Sequence, residues 1–140
     1  MGKRKTSRKL AMQALYQYEI QKDNADFILE YTLQKDSYID DTKEFASEIF
    51  YGVIKNKEFI DNWIIEYAID WKFERISLID KAILRIAIWE LLFTECEVKI
   101  IISEAIDLIK KYSMKEAIKF VNGILGRIVE RRQELSGKAN

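Results

Sequence analysis

The chain has 140 residues, 49% of them hydrophobic and 33% charged, which excludes intrinsic disorder and is enough for one domain with its own core. It contains no histidine and a single cysteine, Cys96, which rules out an intrachain disulfide, the usual zinc sites, a Cys–His nucleophilic pair and a Ser–His–Asp triad. Its 23 basic and 23 acidic residues cancel, so any attraction for a polyanion has to come from how the charge is distributed.

With no proline and only five glycines, the chain is expected to be helical almost throughout. The first helix is predicted from about Ser7 to Lys22, capped by Thr6 or Ser7, with residues 1–6 as a flexible basic arm. A second spans about Ala25 to Gln34. After a polar loop at Asp36–Asp41 a long helix starts near Thr42, with Asp41 as its cap and Glu44 three residues on. The apolar phase shifts near Lys57 to Phe59, and the next helix carries Phe59, Trp63, Ile64 and Tyr67. Ser77 and Asp80 have capping-box spacing and open the most apolar segment, Leu78 to Phe93. Its apolar positions nearly close the helical circle, which marks it as the buried centre. Ile101 to Tyr112 follows, and Ser113 with Glu116 has the spacing to start a last helix that ends near Arg132. The expected fold is all-α, about seven helices in a single domain over residues 1–140.

Charge is unevenly spread along these helices. Residues 1–22 carry six basic side chains against Glu19 alone, and residues 110–132 carry seven against Glu116 and Glu130. The middle is acidic, so one positive field forms if the first and last helices lie side by side. The basic arm is Lys3, Arg4, Lys5, Arg8 and Lys9. On a helical wheel, Leu10, Ala11, Ala14, Leu15 and Tyr18 form the core stripe of the first helix. Lys5, Lys9, Gln13, Tyr16 and Ile20 form the opposite stripe. Cations neutralise phosphates, an amide reads a base edge and a ring stacks on a base, so this outer stripe suits RNA. Packing of Tyr16 on a neighbouring helix is the competing reading, and the wheel leaves both open.

In the last helix, Ala117, Ile118, Val121, Ile124, Leu125, Ile128 and Val129 cluster on one side, while Phe120 points off it between Lys119 and Arg127. Gly123 in mid-helix costs about 1 kcal/mol relative to alanine and implies close approach of another backbone. A helix crossing at Gly123 and Gly126, with Phe120 as peripheral core, is the favoured account of the glycines.

No glycine-rich phosphate loop or dinucleotide fingerprint is present, and without histidine the carboxylates cannot form the Glu-x-x-His pairs of a di-iron bundle. The chain is expected not to be an enzyme and to use no cofactor and no metal. Cys96, between Glu95 and Glu97, is read as an inert thiol. No apolar run approaches the roughly 20 residues of a membrane span. Arg8, Lys9 and Gln13 interrupt any signal-peptide core, so a cytoplasmic location without membrane contact is expected.

Several segments, in order, resemble one known family. Residues 79–91, IDKAILRIAIWEL, resemble the central helix motif of the NusB family, as do residues 102–108, ISEAIDL, and 119–125, KFVNGIL. Residues 8–16, RKLAMQALY, resemble its basic first helix, so the likeness covers nearly the whole chain. It implies two small helical bundles packed together and a role in transcription antitermination. Family members bind boxA RNA in ribosomal RNA operon leaders together with NusE, then join other Nus factors on RNA polymerase.

By position, the resemblance implies RNA contacts from the basic arm, Gln13, Tyr16, Asp80, Lys119 and Phe120. It places Glu116 where an acid tunes this activity, with Arg127 close to the same surface, and NusE contacts near Leu78–Phe93 and Ile101–Tyr112, including Tyr112. Glu97 and Ser103 replace the family's usual proline and asparagine. The alternative is a protein–protein adaptor or homodimer that buries Tyr16 and Phe120 in a protein interface.

Overall fold

The most apolar segment becomes the hub of the molecule. In the computed structural model, the backbone is described for residues 2–69 and 71–139 and the side chains for residues 4–69 and 71–134. Among the described residues the elements are α1 (Gly2–Gln21), α2 (Ala25–Leu33), α3 (Asp40–Lys55), α4 (Lys57–Tyr67), a 3-10 turn (Phe73–Arg75), α5 (Leu78–Phe93), α6 (Val98–Tyr112) and α7 (Glu116–Ala139), with no strand. Every residue of α5 from Lys81 to Ile88 is buried, as are Glu90 and Leu91. Helices α1–α3 pack together as one bundle and α4–α7 as a second, and α5 joins them by packing on α1 and α3 as well as on α4, α6 and α7.

Local chemistry sets three of the element ends. The Asn24 side chain accepts from the Phe27 N–H and caps α2, and Ser77 Oγ accepts from the Asp80 N–H and caps α5. Lys22 ends α1 with φ of 49°, the left-handed region usually left to glycine. At Gly52 the α3 backbone comes so close to α5 that a Cβ there would sit 2.3 Å from the Trp89 indole, so no larger residue fits without moving that ring. Phe73 of the 3-10 turn lies under Lys81, whose Nζ is 4.2 Å from the ring centroid, and this pins the connection between α4 and α5.

Several boundaries differ from expectation. Helix α1 starts at Gly2, so residues 2–6, expected as an arm, form its first turns, and Thr6 and Ser7 are not caps. Ser7 is buried instead, its hydroxyl donating to the Thr42 carbonyl at 2.8 Å. Helix α3 begins at Asp40, which leaves Asp41 in its first turn, where its charge suits the helix dipole, rather than at the cap. Ser113 ends α6 and donates to Asp80, so it does not cap α7. Helix α6 starts at Val98, ahead of the expected Ile101, and α7 runs on to Ala139. Nor do the first and last helices lie side by side: α1 packs chiefly on α2, α3 and α5, and α7 on α4, α5 and α6.

A polar cluster crosses the join between the bundles. Arg85 donates from Nε and Nη2 to both oxygens of Asp61 at 2.7 and 2.9 Å and from Nη1 to Glu19 at 3.1 Å, while Lys57 also reaches Glu19. Burial pushes the Glu19 carboxyl up, but the Lys57 hydrogen bond and the Arg85 charge outweigh it and hold its pKa below the ordinary 4.5. A depressed carboxyl pKa stabilises the fold fully above the unfolded value and is lost as pH falls through the folded one. Unfolding measured at successive pH values below 4.5 is therefore expected to show a steeper loss of stability in the wild type than in Glu19→Gln. Equal slopes would remove Glu19 from the acid transition.

Candidate nucleic-acid interface

The expected RNA residues divide into two groups at separate places on the molecule. The first group lies along α1. Arg4 and Arg8 line a cleft of about 850 Å³ with Phe45 of α3, Glu90 of α5 and Glu104 of α6. Arg4 is exposed, its guanidinium 4.2 Å from the centroid of the Phe45 ring. Lys5 is exposed and bridges Glu104 at 3.2 Å and Asp107 at 3.0 Å, and these hydrogen bonds hold its pKa above the ordinary ammonium value. Lys9, Gln13 and Tyr16 are half-buried. The Lys3 side chain lies outside the described residues.

Arg8 stands apart from the other cations of the basic arm. It is 3% exposed, with Nε and Nη2 donating to the two oxygens of Glu90 at 2.8 and 2.7 Å, and Nη1 lies 3.5 Å from Glu104. Burial works against its charge, but the Glu90 hydrogen bonds and charge prevail and hold the pKa above the ordinary guanidinium value. Nε and Nη2 are thus committed to Glu90, and Nη1 faces Glu104. The role of Arg8 is to fix α1 against α5, which sets where the other α1 cations stand.

The second group gathers where α5, α6 and α7 meet the segment before α5. Lys119 is exposed on α7, and the neighbouring Phe120 ring is half-buried against Trp71, centroids 5.0 Å apart and planes tilted by 59°. Asp80 accepts from the Ser113 hydroxyl at 2.6 Å, tying the first turn of α5 to the end of α6. Asp80, Tyr112, Glu116 and Phe120 line one cleft of about 400 Å³ together with Trp71. Glu116, Lys119, Phe120 and Arg127 line a second of about 530 Å³ with Asn122 and Gly123. Tyr112, expected to face a protein partner, thus shares a cleft with the expected RNA residues Asp80 and Phe120.

The glycines of α7 are not a helix crossing. A Cβ at Gly123 would meet the Arg127 guanidinium at 3.5 Å, and one at Gly126 would meet nothing within 4 Å. Arg127 lies over Gly123 and donates from Nε and Nη2 to the Tyr67 carbonyl at 3.1 and 2.8 Å, closing the end of α4 onto α7. Trp71 is the residue that sequence reasoning missed. It sits in a non-periodic connection, and only its type, a tryptophan outside any predicted helix, marked it.

Among the described residues no group of three or more metal-ligating side chains occurs, and no helix is long and apolar enough to cross a membrane. The site offers cations, carboxylates, an amide and exposed rings around shallow clefts, which is chemistry for binding a polymer with charged and aromatic parts.

Comparison with known proteins agrees with this architecture. Residues 5–130 match the model of the NusB family. The chain is 40% identical over 131 residues to the transcription antitermination protein NusB of Acetivibrio thermocellus, covering 93% of this chain and 90% of that protein. Its fold is similar to that of NusB from T. maritima, with a TM-score of 0.84 and 36% identity over 91% of this chain and 90% of that one. It is also similar to a chain in a crystal structure of the antitermination factors NusB and NusE in complex with double-stranded RNA, with a TM-score of 0.86 and 27% identity over 94% of this chain and 98% of that one. The chain belongs to the NusB family.

Proposed function

We propose that this chain is a transcription antitermination factor that binds boxA RNA of ribosomal RNA operon leaders together with NusE. The assembly then joins other Nus factors on RNA polymerase and suppresses termination. The chain acts in the cytoplasm by binding and not by catalysis. The observation that carries this reading is the cluster of Lys119, Phe120 and Asp80 around adjoining clefts, in a chain of the NusB family. Lys119 neutralises a phosphate, the Phe120 ring stacks on a base and Asp80 accepts from a base N–H.

Along α1, Lys3, Arg4, Lys5, Lys9, Gln13 and Tyr16 extend the contact to further nucleotides. Arg8 supports them from the core. Lys5 exchanges its exposed bridges to Glu104 and Asp107 for phosphate at little cost, because exposed ion pairs contribute roughly 0–1 kcal/mol. Glu116 opposes phosphate close to Lys119 and so tunes affinity, while Arg127 holds the wall of that cleft. Tyr112 sits where RNA and NusE meet. The relative solved as a NusB–NusE complex with RNA supports the pairing of the two partners.

An electrophoretic mobility shift with a boxA-type RNA tests the reading. A retarded complex is expected with the chain alone at low salt, and tighter binding once NusE is added. Absence of a shift at low salt even with NusE would overturn it, and a NusE complex that ignores RNA would favour the adaptor reading.

A further inference from the structure

The connection between α4 and α5 carries an aromatic side chain that the reading above leaves without a task. Trp71 is 55% exposed, yet its ring stays against Phe120 at 5.0 Å. Trp71, Phe120 and Glu116 line both clefts of the second group, so the two rings stand as a ridge with a hollow on each side. The ridge is held in place from behind. Phe73, two residues on, packs under Lys81 of the hub helix, and Phe120 packs against the core.

The two hollows differ in charge. In the one of about 400 Å³ two acids, Asp80 and Glu116, outnumber the single cation Arg75, so it disfavours a phosphate and admits the neutral base of a nucleotide. Ser113 occupies Asp80 Oδ1, which fixes the carboxylate and leaves Oδ2 to accept from a base. In the hollow of about 530 Å³, Lys119 supplies a cation for the backbone and Asn122 an amide for a base edge.

Resting on the RNA-binding reading, we infer that Trp71 is a base-stacking residue: with Phe120 it wedges between two successive bases of a single strand, and the base entering the Asp80 hollow is chosen for an exocyclic amine. Adenine, cytosine and guanine carry that donor and uracil does not. A tilted ring pair suits a wedge, because each face remains open to a base on its own side.

The test uses the full chain with NusE and a single-stranded boxA-type RNA carrying 2-aminopurine at one position at a time. At one position the fluorescence is expected to be quenched on binding and restored in Trp71→Ala, with affinity falling about 5- to 150-fold. Trp71→Phe should keep most of both signals, and Asp80→Asn should weaken discrimination against uridine at that position. Trp71 is an exposed residue of a connection, so the alanine variant is expected to melt with the wild type. If Trp71→Ala binds RNA and quenches as the wild type does while Phe120→Ala does not, the wedge is wrong and the RNA reading stands. If Trp71→Ala instead weakens only NusE binding, the ridge is a protein contact and the inference fails. A wild type that binds no RNA removes both.

Discussion

Glu90→Ala is expected to cost about 3–5 kcal/mol of folding stability, because it leaves the buried Arg8 guanidinium without its main counter-charge. The two side chains are 4% and 2% exposed and share two hydrogen bonds of 2.8 and 2.7 Å, so water entering from the adjoining cleft solvates the stranded charge only in part. The nearby Glu104, 3.5 Å from Nη1, makes one longer contact and cannot substitute for a bidentate partner. Urea unfolding at neutral pH reads the loss as a lower midpoint at unchanged slope. Replacing both partners, Arg8→Met with Glu90→Leu, should recover most of it, since apolar residues of similar volume remove the stranded charge. A loss below about 1 kcal/mol for Glu90→Ala would mean that the pair behaves like a surface bridge and that α1 is held by apolar packing alone.

Phe120→Leu is expected to weaken RNA binding by about 1–3 kcal/mol while leaving the fold nearly intact. The ring is half-buried, so truncation to alanine disturbs both packing and stacking, whereas leucine keeps most of the volume and loses only the aromatic face. Affinity for a boxA-type RNA in the presence of NusE, measured well below the melting transition, separates the two effects. Wild-type affinity in the leucine variant would assign Phe120 to packing alone.

Much of the fold was legible because periodicity reports burial. Leu78–Phe93 was read with its observed ends because apolar residues surround that helix and Ser77 caps it. The start of α1 was not legible: residues 2–6 carry cations and no capping side chain at the first turn, so nothing in them marks a helix. Arg8 carries a signal that sets it apart from the other arm cations. It stands three, four and seven residues before Ala11, Met12 and Leu15, all buried, which puts it on the apolar face. Glu90, an acid flanked by Trp89 and Leu91 near the end of the most apolar helix, was its visible counterpart. Charge of either sign on an apolar stripe indicates pairing sooner than a ligand.

Other features depended on tertiary geometry that no local pattern encodes. The wheels placed Lys119 outside the core and Phe120 off its centre, as observed, but could not show that α1 and α7 are separated by α5. Gly123 illustrates the same gap, since its space is taken by Arg127 of its own helix as that side chain reaches across to Tyr67. Trp71 lies where no period exists, and its partner Phe120 is on a distant helix.

On the proposed function, the α7 cluster meets RNA through Lys119. The most direct measurement is the affinity for a boxA-type RNA, with NusE present, across a series of salt concentrations for the wild type and Lys119→Ala. A phosphate contact releases counterions, so the wild type should lose affinity steeply with salt and the variant should bind more weakly with a slope shallower by roughly 0.7, the value for one single-strand phosphate. Equal affinities and equal slopes for the two proteins would contradict the claim.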